Sequence, residues 1–439
     1  MKERLDKTSS VSAKISVELP PERVNAQLEA YYSSVAKHAK IQGFRKGKAP
    51  LAVIKKMYKE DASSYIGERL ISEGLSEAIR KYELHIILPP KLVAVDSPAE
   101  NQVFRFEAEL DLKPEVPSVD CSSISISIPK EKEIGSEDVD REIESIRESF
   151  ATYEALEPAQ RSQVKADDSV SIRYTGSVNG QKIEKASTDR QQVVLGKSQV
   201  LEDFEKALPE MKVGEVKTLK VNFGDSHPIE EIRGQEVEFQ LEVLEILEKR
   251  LPEVNDEFLK QVDPSLSKIE ELREKISSDL KNAEISRIER ARRDAIGKAL
   301  VEKYPFEISA RQRQMTGESL LRDNIQNLMR MGLTQAQIQT QQKELLEEAS
   351  KAAEHQIKLA YILDQIARQE EINVTDEDVK SRLQKTADRT GYSLTEIEAY
   401  YSQKEENEAT SRMDRLKMDI RDEKSLDYAL SKATIKLEG

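Results

Sequence analysis

The chain has 439 residues, with 68 Lys and Arg against 82 Asp and Glu, a formal charge of −14, and only 5% aromatic residues. That length exceeds a single hydrophobic core and predicts several domains, while the lean, charged composition suits long solvated helices. One cysteine, Cys121, excludes an intrachain disulfide and a cysteine-based zinc site, four histidines argue against a histidine metal centre, and the longest apolar run, residues 359–363, cannot span a bilayer.

Residues 1–20 lack the apolar stretch of a signal peptide, so a cytoplasmic location is expected. Val11, Ala13, Ile15, Val17 and Leu19 alternate with polar residues, the pattern of a strand with one face inward. Pro20-Pro21 ends it, and residues 22–40 read as a helix. After a loop at 43–50, Pro50 can open another helix, and 60–82 continue helically. Val93 and Val95, then Phe104, Phe106, Ala108 and Leu110, predict two more strands. These elements make an α+β head over residues 1–114. Ile124, Ile126 and Ile128 form a short strand, and Ser136 reads as the N-cap of a helix with Val139, Ile143, Ile146 and Phe150 on one face. This segment, 115–160, is assigned to the same body as the helices beyond the next domain. Residues 161–247 change to short β patterns with a hairpin signal at Asn179-Gly180, a compact β-rich module. Residues 248–439 read as helical to about Lys432, with Thr375 and Asp378 spaced as a capping box. The fold class is therefore multidomain α+β: an α+β head, a β-rich domain and an elongated all-helical body.

Charge is uneven. Residues 1–60 hold 13 basic and 6 acidic groups, and the eight Lys and Arg between Tyr31 and Lys59 face no acid in that interval. A basic end on an acidic body implies a polyanionic partner for that end. The densest part is Gly43-Phe44-Arg45-Lys46-Gly47-Lys48-Ala49-Pro50. Its two glycines permit sharp turns, and a large aromatic among three cations can dock while the cations meet phosphates or acids. The spacing is not that of a phosphate-cradling P-loop. The plainer alternative is an ordinary basic loop with Phe44 folded back on its own domain.

The segment 43–50 resembles the GFRxGKxP ribosome-docking signature of the trigger-factor family, ribosome-associated bacterial chaperones. The order of domains is similar too, and the resemblance covers nearly the whole chain. It implies docking beside the nascent-chain exit of the large ribosomal subunit, with Phe44, Arg45, Lys46 and Lys48 making contacts and Gly43, Gly47 and Pro50 shaping the loop. Tyr174-Thr175-Gly176, Asn179-Gly180, Val194-Leu195-Gly196-Lys197 and Met211-Lys212-Val213-Gly214-Glu215 resemble landmarks of FKBP-type prolyl isomerases. The implied pocket comprises Tyr174, Ile183, Val200, Leu201, Phe204 and Phe239, with Glu184 and His227 as polar neighbours. Ile183 stands where an aromatic is usual, His227 where a tyrosine is usual, and Glu202-Asp203 precede Phe204, so low isomerase activity is expected. In the helical body, Leu320, Leu321, Ile325, Leu328, Met329, Met331, Leu333 and Ile338 form a loose apolar series. Ordinarily such a stripe is core; in this family helical arms enclose unfolded chains, and Met and Leu suit varied clients.

The resemblance thus implies an ATP-independent chaperone for nascent polypeptides with a peptidyl-prolyl cis-trans isomerase domain, no cofactor, no metal and no membrane partner. A homodimer of the free protein is left open. The rivals are a periplasmic-type folding chaperone and a free-standing isomerase that does not bind ribosomes.

Overall fold

The computed structural model describes residues 1–156, 161, 163–165, 168–196, 200–209, 211–224, 229–403 and 411–438. In chain order, β1 (Lys2–Lys7) and β2 (Ser12–Leu19) lead into α1 (Pro21–His38), α2 (Leu51–Met57) and α3 (Lys59–Lys81), then β3 (Lys91–Val95) and β4 (Phe104–Asp111). β5 (Ser125–Ile128) precedes α4 (Ser136–Ser149). Next come β6 (Thr152–Ala155), β7 (Ser169–Val178), β8 (Gln181–Val194), α5 (Glu202–Ala207), β9 (Val216–Asn222) and β10 (Glu236–Arg250). Helices follow: α6 (Asp256–Val262), α7 (Ile269–Lys303), α8 (Ala310–Arg330), α9 (Gln335–Thr340) and α10 (Gln342–Gln369). α11 (Asp376–Thr390), α12 (Leu394–Ser402) and α13 (Arg412–Lys432) end at a last strand, β11 (Thr434–Leu437).

These elements pack as two units, one of Met1–Lys130 with Ile288–Gly439 and one of Glu131–Arg287, and α7 supplies residues to both. The first unit opens with an antiparallel sheet in the order β1-β2-β4-β3. The alternation along β2 is realised: Ala13, Ile15, Val17 and Leu19 are buried with Phe104 and Phe106 of β4. Leu28 and Tyr32 of α1 and Ile66 and Leu70 of α3 complete that core. Burying an aromatic of this size stabilises by about 1.5–3 kcal/mol. A second core joins Ile124, Ile126 and Ile128 to Ile296 and Leu300 of α7, Ile362 and Ile366 of α10 and Ala429 of α13.

Two buried polar groups tie these layers. Ser309 caps α8 by accepting the Gln312 N–H, and its hydroxyl donates to Asp111 at the end of β4, 2.5 Å away. Arg311 Nε meets the other Asp111 oxygen at 3.1 Å. Each group is hydrogen-bonded, so its burial is not left uncompensated. Asp364 on α10 likewise receives Lys113 and Arg421.

In the second unit β10 pairs with β7 along one edge and with β9 and then β6 along the other. β8 continues the sheet beyond β7. Two local expectations shift. α4 is capped at Gly135 rather than Ser136, because the Gly135 N–H donates to Asp138 at 3.1 Å and that acid closes the helix start one residue earlier. Among the described residues the last helix ends at Lys432 as expected, but after Ala433 the segment Thr434–Leu437 forms β11, parallel to β5. Thr375 and Asp378 make the expected capping box.

Candidate functional site

The loop after α1 is two consecutive turns. The Phe44 N–H donates to Ile41 O at 3.0 Å and the Lys48 N–H to Arg45 O at 2.9 Å. Gly43 and Gly47 occupy the third position of each turn at φ +88° and +77°, the left-handed region where a Cβ is unfavourable. Ile41 is buried in the head core and anchors the loop. Phe44 does not fold back: it is 42% exposed. Arg45, Lys46, Lys48 and Pro50 are exposed with it, Pro50 serving as N-cap of α2. None of the three cations has an ion-pair partner among the described residues. The loop therefore presents one aromatic and three cations without ion-pair partners among the described residues, on two consecutive turns.

The β-rich unit holds a cavity of about 350 Å³ with an aromatic floor. Phe204 of α5 lies edge-on to Tyr174 at 5.2 Å and to Phe239 at 5.1 Å, and Tyr174 faces Phe239 at 6.0 Å. Such T-shaped pairs suit the ring quadrupoles. Phe204 is 1% exposed and fixes the floor. The Tyr174 hydroxyl donates to Gln191 at 3.3 Å, and burial raises its pKa above the usual phenol range. Gly176 is required by the packing. A Cβ there would sit 2.7 Å from Ala186 O and 2.8 Å from the Phe239 ring.

Of the predicted pocket, Tyr174, Val200, Leu201, Phe204 and Phe239 line this cavity together. Ile183 packs against the same core but does not line it, and Glu184 points to solvent beside Lys182 at 3.0 Å. The cause is a register shift. Gly176 pairs with Ile183 while Thr175 pairs with Ser187, so β8 bulges over 184–186 and brings Lys185 and Ala186 to the cavity instead. His227 lies outside the described residues. Gln191, Phe223, Ile229 and Ile232 also line the cavity and were not singled out in the sequence. Phe223 closes a readable extended segment, whereas Gln191 gives no apolar signal. Glu202 and Asp203 are exposed and do not line the cavity, and Glu202 pairs with Lys206 at 2.5 Å.

Residues 1–146 match the family model described as bacterial trigger factor protein, and residues 268–431 match the model of its C-terminus. Residues 160–244 match the model of FKBP-type peptidyl-prolyl cis-trans isomerases. The trigger factor of Bdellovibrio bacteriovorus is 30% identical over 407 residues, covering 92% of each chain. The chain belongs to the trigger-factor family. The trigger factor of Geotalea daltonii is 29% identical over 432 residues, 98% of this chain and 97% of that one. That of Anaeromyxobacter dehalogenans is 27% identical over 436 residues, 99% and 100% of the two chains.

In this trigger factor the apolar series of α8 is not core. Leu320, Leu321, Ile325, Leu328 and Leu333 are half-buried, Met329 is exposed, and Met331, just beyond the helix, is 78% exposed. Ile338 of α9 is buried, and Met315 and Leu346 add exposed apolar surface on α8 and α10. Among the described residues no helix is long and apolar enough to cross a membrane.

Proposed function

We propose that this trigger factor docks on the large ribosomal subunit beside the nascent-chain exit through the loop at 43–50 and shields emerging polypeptides in the cytoplasm. The observation that carries the reading is the exposed Phe44 among Arg45, Lys46 and Lys48, held out by two glycine turns. Cations meet backbone phosphates or acidic protein surface, and the aromatic supplies the apolar anchor. We assign docking to residues 1–114, isomerisation to 161–247, and client holding to 115–160 with 248–439, including Leu320, Leu321, Ile325, Leu328, Met329, Met331 and Leu333. Met and Leu side chains adapt to many sequences, which suits a promiscuous holder.

The isomerase chemistry needs no nucleophile, acid, base or metal. The ~18–20 kcal/mol barrier about an X–Pro bond arises from amide resonance. A prolyl ring seated against Tyr174, Phe204 and Phe239 places the amide away from water, where the twisted, less polar transition state is favoured over the charge-separated ground state. Lys185 and Gln191 make one wall polar, which fits low activity. The test is co-sedimentation of the purified chain with large subunits at low and high salt. Binding that weakens as salt rises is expected, because exposed charges are screened over ~8–10 Å. A chain left in the supernatant at low salt would sink the docking proposal.

A further inference from the structure

We propose that the open edge of β3 takes up a short extended segment of an unfolded polypeptide by antiparallel strand addition; this rests on the chaperone reading above. The head sheet has two edges of opposite character. β1 is guarded by Lys2, Glu3, Arg4, Asp6 and Lys7, a charged edge that discourages pairing. β3 carries Leu92, Val93, Ala94 and Val95, and all five of its residues are exposed, with Leu92, Val93 and Val95 at 44%, 49% and 45%.

Main-chain groups are available there. The Asp96 N–H donates to Arg105 O at 2.9 Å, and Val95 is in register with Phe106. Alternation along an antiparallel pair then turns the Val95 N–H and C=O to the open edge. Lys91 and Asp96 end the stretch with opposite charges, Lys91 lying 3.5 Å from Glu109 on β4. An antiparallel segment therefore fits best with a base first, apolar residues between and an acid last, opposite Asp96 and Lys91 in turn.

The edge's size selects the occupant. Five residues extend only ~17 Å, and the register shift between Leu92 and Ala94 interrupts them. Two such edges from two copies would bury far less than the ~1,200 Å² of a stable interface. Weak, short-lived capture of an extended chain is what remains, and it needs no energy input for release.

The experiment uses the full chain and two capped hexapeptides sharing a central Val-Thr-Val-Val, one running from Arg to Glu and the other from Glu to Arg. Amide exchange over residues 91–96 is followed by mass spectrometry, beside suppression of aggregation of an unfolded client. The Arg-first peptide is expected to slow exchange at a concentration roughly fivefold lower than the Glu-first peptide. The Lys91→Glu/Asp96→Lys variant is expected to invert that order. No slowing by either peptide, or an order unchanged by the swap, overturns the proposal. So does slowing that grows with protein concentration without peptide, which would assign the edge to a second copy. Client holding without edge protection overturns the edge assignment alone, whereas a chain that holds no client overturns the chaperone reading beneath it.

Discussion

Replacing Phe204 by Leu separates the cavity's chemistry from its role as core. The side chain is 1% exposed and makes two edge-on ring contacts at 5.2 and 5.1 Å. Each such pair contributes about 0.5–1.5 kcal/mol beyond burial, and full truncation of a buried Phe costs about 3–5 kcal/mol. Leu retains much of the volume, so the expected loss of stability is about 2 kcal/mol, read as a lower urea midpoint with unchanged slope. The matched control is Phe258→Leu. Phe258 is equally buried, lies edge-on to Phe150 at 6.0 Å, and belongs to a core of α4, α6 and α7 outside the cavity. Both variants should lose similar stability. Only Phe204→Leu should lower kcat/KM on a Leu-Pro peptide, by about tenfold, the equivalent of ~1.4 kcal/mol of lost transition-state binding. A folded Phe204→Leu protein with the parent's kcat/KM, or an equal fall in Phe258→Leu, would refute the assignment of this cavity to isomerisation.

Gly176→Ala should also abolish isomerase activity while the head remains folded, since its Cβ would strike both a backbone carbonyl and the Phe239 ring; overpacking of this kind costs about 1–3 kcal/mol, and full activity in the variant would contradict the cavity geometry. Asp422 on α13 has its pKa pushed up to about 6, first by burial and then by Asp419 and Asp364, against the opposing Arg421. Its unfolded value is ~3.9, so the native state binds the extra proton: the contribution of this one group to stability is fully present below about pH 4 and is lost as pH rises through 6. Asp422→Asn should stabilise the protein at pH 7 by about 1 kcal/mol, after discounting for partial exposure, and the gain should vanish near pH 4. Thermal melts across that range check it, and a gain independent of pH would count against the assignment. Met329→Gln with Met331→Gln should leave stability within ~0.5 kcal/mol and weaken suppression of client aggregation. Undiminished holding would remove the two Met residues from the client surface.

What could be read in the sequence follows the range of the forces involved. The alternation of Ala13, Ile15, Val17 and Leu19 is a local signal, and so is the Thr375–Asp378 box; both appear in the structure as written. β1 was not legible, because Leu5 is its one apolar residue and its pairing with β2 is satisfied through the backbone. β11 was not legible either. Its partner β5 is some 300 residues earlier in sequence, and no local pattern encodes that parallel pairing. In the cavity, Tyr174, Leu201, Phe204 and Phe239 followed from apolar character in family order. Lys185 and Ala186 did not, since a bulge reverses the faces of β8 and alternation alone places Ile183 inward. The turns of the loop at 43–50 were legible because their geometry is carried by glycine, whose positive φ at positions 43 and 47 is a backbone requirement written into residue type.

Ribosome binding by a loop variant tests the central claim most directly. Phe44, Arg45 and Lys46 are exposed and contribute nothing to the head core, so replacing all three with Ala should leave the unfolding midpoint unchanged. Loss of three anchors at one contact typically costs several times ~1–2 kcal/mol, enough to weaken binding by at least about a hundredfold. At a salt concentration where the parent pellets with large subunits, the folded triple variant is expected to remain in the supernatant. A triple variant that pellets as the parent does would contradict docking through this loop.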